Sequence, residues 1–258
     1  MPNKIRAIWA HAAYQELKRR KLNASVALDQ AGLSQLAIAD RERWIPFDKE
    51  VLFFEAAAEL SGDDCFGLHL APTIELKTAG LIAYIGLAAK TLDDAIRNLI
   101  HYQHVHNVAM DGELIEDGSH VRLRDTYFQV DLHRYKQREE LDASLALHAT
   151  RWLTQKDISL VEVRFVHTRD KHRDEVERVL GCPVRYGQEY YEIVFHRDDL
   201  SLPIPTADKE LLRVLTKNAD LVLEERAANG DAFLDLVSER IVDQLSSGRV
   251  TAKKIASD

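Results

Sequence analysis

The chain has 258 residues, of which 46% are hydrophobic and 29% charged, and a formal net charge of −8. That balance fits one large or two small globular domains, excludes wholesale disorder, and argues against this chain alone gripping a phosphate backbone. No run approaches the roughly 18 apolar residues of a membrane span, and Met1 to Arg6 lacks the apolar core of a secretory signal, so a cytoplasmic protein without membrane contact is expected.

In chain order, Ile5, Ile8, Trp9, Ala12, Ala13 and Leu17 keep helical spacing and predict an opening helix of about four turns, whose wet end carries Lys18, Arg19, Arg20 and Lys21. Ser25 to Ala37 reads as short helical turns broken by Gly32. Ile45-Pro46-Phe47-Asp48 then starts a stronger helix that ends at Ser61-Gly62-Asp63. Asp63-Asp64 suits the cap of a short helix over Cys65 to Leu70, and residues 78–90 form an apolar run. Thr91, with Asp94 three positions on, has capping spacing for a helix through Ile96 and Ile100.

Strand character follows. Glu113 to Glu116 and Ser119 to Leu123 flank Asp117-Gly118, a hairpin signal with Gly at the second turn position. A helix from Tyr135 to Gln155 presents Leu141, Leu145, His148 and Trp152. Residues 158–166 alternate as a strand, Lys171 to Leu180 forms a helix stopped by Gly181, and two short strands lie at Pro183 to Tyr186 and Tyr191 to Phe195. From Thr206 the chain is helical again. The fold class is therefore α+β: a helical N-terminal half, then a small, mostly antiparallel sheet covered by helices, then a C-terminal helix. Cys65 and Cys182, with no CxxC or paired histidines beside them, read as buried reduced thiols.

Several blocks together resemble the AraC/XylS transcription regulators, in the branch with an arabinose-binding-like N-terminal domain. They are Leu180-Gly181-Cys182-Pro183-Val184-Arg185-Tyr186-Gly187 with Ile193-Val194-Phe195, and Leu202-Pro203-Ile204-Pro205-Thr206-Ala207-Asp208. Upstream, Ile45-Pro46, the block Ala56 to Asp63, Phe66-Gly67-Leu68, Gly80 to Tyr84 and Thr91 to Ala95 fit the same branch. Phe233 to Leu245 followed by Ser246 to Ala256 is similar to the opening of that family's helix-turn-helix DNA-binding domain. The resemblance implies a sensor and dimerisation domain over 1–226, a linker over 227–231, and the beginning of a DNA-binding domain over 232–258, cut before its recognition helix. Thr251, Lys253 and Lys254 would be that domain's first DNA-facing residues.

The implied protein is a ligand-responsive regulator with an unknown small-molecule effector. Full-length, it would bind operator DNA as a homodimer and possess a surface for RNA polymerase; this chain alone would not read operator sequence, because base readout belongs to the recognition helix. Candidate effector contacts are Tyr84, His101, His104, Arg122 and Trp152, with a pocket expected between the Ile96–His106 helix and the sheet. The same residues also read as core, solvated surface or, for Arg122 with Arg124, a wet sheet edge. The candidate dimerisation seam is Leu211, Leu215, Ala219 and Val222, which equally suits packing on the chain's own sheet. No cofactor, resident metal or catalytic motif is expected. The competing reading is a metal-dependent sensor or enzyme built on His101, His104 and His106, although no matching carboxylate or thiolate is near in sequence.

Overall fold

The computed structural model describes residues 3–228 of the chain. The first half holds β1 (Lys4–Arg6), α1 (Ile8–Arg19), α2 (Ser25–Ala31), α3 (Gln35–Ala39), β2 (Trp44–Pro46), α4 (Phe47–Ser61), α5 (Phe66–Leu70), α6 (Leu81–Ala88) and α7 (Leu92–Tyr102). The second holds β3 (Met110–Asp117), β4 (His120–Tyr127), α8 (Gln137–Thr154), β5 (Glu162–Arg164), α9 (Arg173–Leu180), β6 (Val184–Arg185), β7 (Tyr191–His196), α10 (Arg197–Leu200) and α11 (Lys209–Ala228). The α+β class with a helical first half stands. Helix α11 runs through the first two residues of the expected linker; the rest of the linker and the 232–258 segment with Thr251, Lys253 and Lys254 lie outside the described residues.

Two helix starts are corrected. Ile5 and Ile45-Pro46 are not helical but pair in an antiparallel ribbon, Ile5 opposite Ile45. Pro46 favours this, because a proline lacks the donor a helix interior needs and pushes the residue before it toward extended backbone. The free side of β1 is used as well: Arg6 N donates to His106 O at 2.8 Å and Val108 N to Lys4 O at 3.1 Å. Helix α7 starts as its sequence says, with the Thr91 hydroxyl accepting from Asp94 N at 3.2 Å.

The main sheet has the order β3-β4-β7-β5-β6, antiparallel except for the β5–β6 pair. In its hairpin Asp117 pairs with His120, so the turn is Gly118-Ser119, one residue later than expected. Gly118 at φ +60 is the first central residue and Ser119 is not left-handed, which is the glycine placement of a II′ turn rather than a I′ turn. Strand alternation then sorts the two faces. Outward, Arg122, Arg124 and Arg164 close on Glu192, with Arg122 Nη1, Arg124 Nη2 and Arg164 Nη1 at 3.0, 2.8 and 2.8 Å from its carboxylate. Inward, Leu123, Asp125, Tyr191, Ile193 and Phe195 face the helices.

Helix α8 runs beneath that inner face, and its first turn is buried although Gln137, Arg138, Glu139 and Glu140 are all polar, each no more than 1% exposed. Glu55 of α4 accepts the N–H groups of Lys136 and Gln137 at 2.7 and 2.8 Å, supplying partners that a helix start lacks. The Gln137 side chain accepts from Gly67 N at 2.9 Å and donates to Asp64 O at 2.8 Å. Glu139 and Glu140, whose side chains leave the helix in different directions, hold His167 between them at 2.7 and 3.2 Å, and Glu140 also takes Arg169 in two hydrogen bonds.

The backbone of α5 lies hard against this turn. A Cβ on Gly67 would sit 2.1 Å from the Gln137 carbonyl oxygen, a main-chain atom that cannot swing aside. Gly67→Ala therefore lowers the unfolding free energy by about 3 kcal/mol, the upper end of overpacking costs, as read in a urea titration.

Candidate ligand-binding cavity

Helices α6, α7 and α8 and the inner face of the sheet wall a cavity of about 250 Å³. Leu92, Ile96, Leu99 and Ile100 of α7 recur at helical spacing along one wall, Ile82, Ala83 and Gly86 of α6 form another, and Leu123, Ile193 and Phe195 form the sheet side. On α8 the facing positions are Arg138, Asp142, Leu145, Ala149 and Trp152, alternating steps of four and three. Trp9 of α1 adds a second indole.

One end is polar. The Arg138 guanidinium, 2% exposed, gives Nε to Glu50 at 3.3 Å and a second nitrogen to Asp142, which also accepts the Tyr127 hydroxyl. Asp125 comes in from β4 opposite Gly112, where a Cβ would fall 2.9 Å from its Oδ1, so the glycine leaves room for the carboxyl. Asp125 is half-buried, and no hydrogen bond contributes to its ionisation. The Tyr191 hydroxyl and His106 Nδ1, both on the cavity wall, are buried without a partner among the described residues. Burial pushes the Asp125 carboxyl up to about 8, with the Asp142 charge adding to the effect and Arg138 opposing it. Burial, again opposed by Arg138, pushes Glu50 up to about 7. Burial and the Arg138 charge bring His106 down to about 4, so it is neutral at pH 7.

The pocket lies where the sequence put it, between the Ile96–His106 segment and the sheet, but most of the named contacts are elsewhere. Trp152 lines it. Tyr84 is 43% exposed and outside it, because α6 turns Ile82, Ala83 and Gly86 inward instead. His101 is exposed and packs edge-on against Tyr102, ring centroids 4.6 Å apart, while His104 Nε2 bonds Asp111 at 2.8 Å. Arg122 belongs to the outer face of the sheet, where its charge is matched by Glu192. His101, His104 and His106 thus point to three different surroundings, and among the described residues no group of three or more His, Cys, Asp or Glu could hold a metal. The residues that sequence reasoning passed over are Asp125, Arg138 and Asp142. The signal that could have found Asp125 is the alternation Val121, Leu123, Asp125, Tyr127, which runs past Leu123 and sets one acid on an otherwise apolar face.

The helical seam is also redistributed. Ala219 is fully buried, and Leu215 and Val222 pack with it against Ile82, Ile85, Tyr102 and Val105 of the chain itself, while Leu211 is 44% exposed. Tyr102 OH donates to Asp220 at 3.2 Å across the same contact. Helix α6 therefore separates the cavity from α11.

Residues 22–204 match the family model described as the arabinose-binding domain of AraC transcription regulator, N-terminal. The chain belongs to this AraC regulator family. It is 28% identical over 207 residues to the HTH-type transcriptional regulator VirS of Mycobacterium tuberculosis, in two strains, covering 78% of this chain and 58% of VirS. The chain thus spans little more than half the length of that curated relative. A crystal structure of the transcriptional regulator CdpR from Pseudomonas aeruginosa is similar with a TM-score of 0.49 and 16% identity, over 58% of this chain and 49% of that one, too weak a likeness to bear on the site. Among the described residues no helix is long and apolar enough to cross a membrane.

Asp125 gives this AraC-type domain a measurable pH signature. Unfolded, an aspartate ionises near pH 4; folded, Asp125 keeps its proton to about 8, so the fold binds more protons between those values and this contribution to stability is lost as pH rises through them. Asp125→Asn removes this part of the slope and leaves that of Glu50. In denaturant titrations the variant is more stable than the parent by about 2–4 kcal/mol at pH 8, and the gap closes toward pH 4.

Proposed function

We propose that the cavity is the effector site of a ligand-responsive transcription regulator, and that this chain is its sensing and dimerisation portion. The observation that carries the reading is the position of α6. One side lines the cavity and the other carries α11, so a ligand that prefers one placement of α6 shifts the population of α11 placements. In sequence, α11 is followed by residues 232–258, which resemble the opening of the DNA-binding domain. Operator reading and any contact with RNA polymerase belong to the full-length protein, acting in the cytoplasm, where the buried thiols Cys65 and Cys182 stay reduced.

A thermal-shift screen of small metabolites tests the effector site. A true effector at a hundredfold its dissociation constant stabilises the fold by about 2.7 kcal/mol. Ala146→Phe, which places a ring in the cavity, abolishes that shift while leaving the circular dichroism spectrum unchanged. A shift that survives this substitution puts the effector elsewhere.

Pairing of two copies uses the other side of α11. Leu211, Val214 and Leu221, exposed by 44, 55 and 47%, share one stripe at helical spacing beside the face already covered by the chain itself. Leu221→Glu yields a folded monomer in light scattering. Leu215→Glu, by contrast, destabilises the subunit by about 1–3 kcal/mol, because its side chain packs on α6. A Leu221→Glu chain that still elutes as a dimer places the interface off this helix.

A further inference from the structure

The chemistry of the effector is written in the charge balance at the polar end of the cavity. Three carboxyl groups, Glu50, Asp125 and Asp142, surround one guanidinium, that of Arg138, and two of them already occupy it. An anionic ligand would bring a fourth acid to this end and find Arg138 taken. Among the described residues two groups on the wall that can accept have no donor, the Tyr191 oxygen, on a side chain only 1% exposed, and His106 Nδ1 when the ring proton sits on Nε2, and no hydrogen bond contributes to the ionisation of Asp125 beside them. Buried polar groups without partners are costly, and a ligand that supplies their hydrogen bonds removes that cost. An ammonium group has three N–H donors and a positive charge, which serve two unmatched acceptors and one carboxyl able to give up its proton. The remaining wall is apolar and aromatic, with Trp9 and Trp152 among its residues. A dry cavity of about 150 Å³ holds benzene, so 250 Å³ takes a ring or short chain with a small head group.

We propose that the cavity takes a small hydrophobic primary amine, its ammonium group paired with Asp125 and its apolar body lying between α7 and α8. The proposal rests on the effector-site reading above and names the substrate class of that site. Asp125 keeps its proton to about 8, so an ammonium group that pairs with the carboxylate displaces that proton to solvent.

The test is calorimetric titration of the 258-residue chain at pH 7 with two matched series: hexylamine, hexanol and hexanoate, and phenethylamine, phenethyl alcohol and phenylacetate. At least one amine binds about ten- to a hundredfold more tightly than its alcohol and its carboxylate, the range of a charge-assisted hydrogen bond. Asp125→Asn removes that preference, bringing the amine to the level of the alcohol or below. Alcohols or carboxylates that bind as well as or better than the amines overturn the amine assignment and leave the effector cavity standing. If no member of either series binds, both the amine assignment and the cavity reading fall. Should Asp125→Asn fail to fold, the order of affinities within the unmodified chain decides alone.

Discussion

Helix α8 must begin inside the protein, and much of the architecture answers that one constraint. A helix start exposes N–H groups that need partners, and a buried start cannot find them in water. Here Glu55 supplies the partners from α4, at the helix end where the dipole favours a negative charge. The same turn then anchors three neighbours: α5 through Gln137 and Gly67, the segment after β5 through Glu139 and Glu140, and α4 through Arg138 and Glu50. Buried ion pairs of this kind are a poor source of net stability, since desolvation offsets most of the attraction. Their effect is on uniqueness. An α8 slid by one residue would leave His167, Arg169 and Glu55 unpaired in the interior, so the register of the helix, and with it the face presented to the cavity, has one low-energy solution.

The elements were legible in the sequence where local chemistry and burial agree. Thr91 with Asp94, Gly62 after α4 and Gly181 after α9 mark helix ends through backbone geometry that needs no tertiary partner. Ile5 and Ile45 read as helical because their spacing continues that of the helices beside them; their pairing depends on a contact forty residues apart in sequence, which periodicity does not encode. The turn residue at Gly118 was visible, but its place in the turn follows from register with β7 as well as from the glycine.

The candidate cavity was legible in position and much less so in composition. Aromatic and histidine side chains on apolar helices drew attention, yet a tyrosine such as Tyr84 or a histidine such as His104 is at home half-exposed at a helix surface. The more informative residues were charged ones at inward positions: Asp125 on the inner parity of β4, and Arg138 with Asp142 one helical turn apart on α8. Arg122 and Arg124 showed the opposite trap. Two arginines on one strand face suggest an anion from outside, and the anion is Glu192, brought beside them from seventy residues away by the pairing of β4 with β7.

That pairing also governs how the chain can be made. Strand β7, the last of the five in sequence, lies at the centre of the sheet, between β4 and β5. Chains emerge from the ribosome N-terminus first, at about 5–20 residues per second. Until Tyr191 to His196 have appeared, β4 and β5 have no common neighbour, and the hydrophobic face they share cannot close over α8. The N-terminal strand waits in the same way for the segment around Asn107. With its decisive contacts this distant along the chain, the domain cannot be assembled strand by strand as it is synthesised. The sheet closes only once β7 has emerged, and until then the edges of β4 and β5 that β7 will cover are open to chaperones or other copies of the chain.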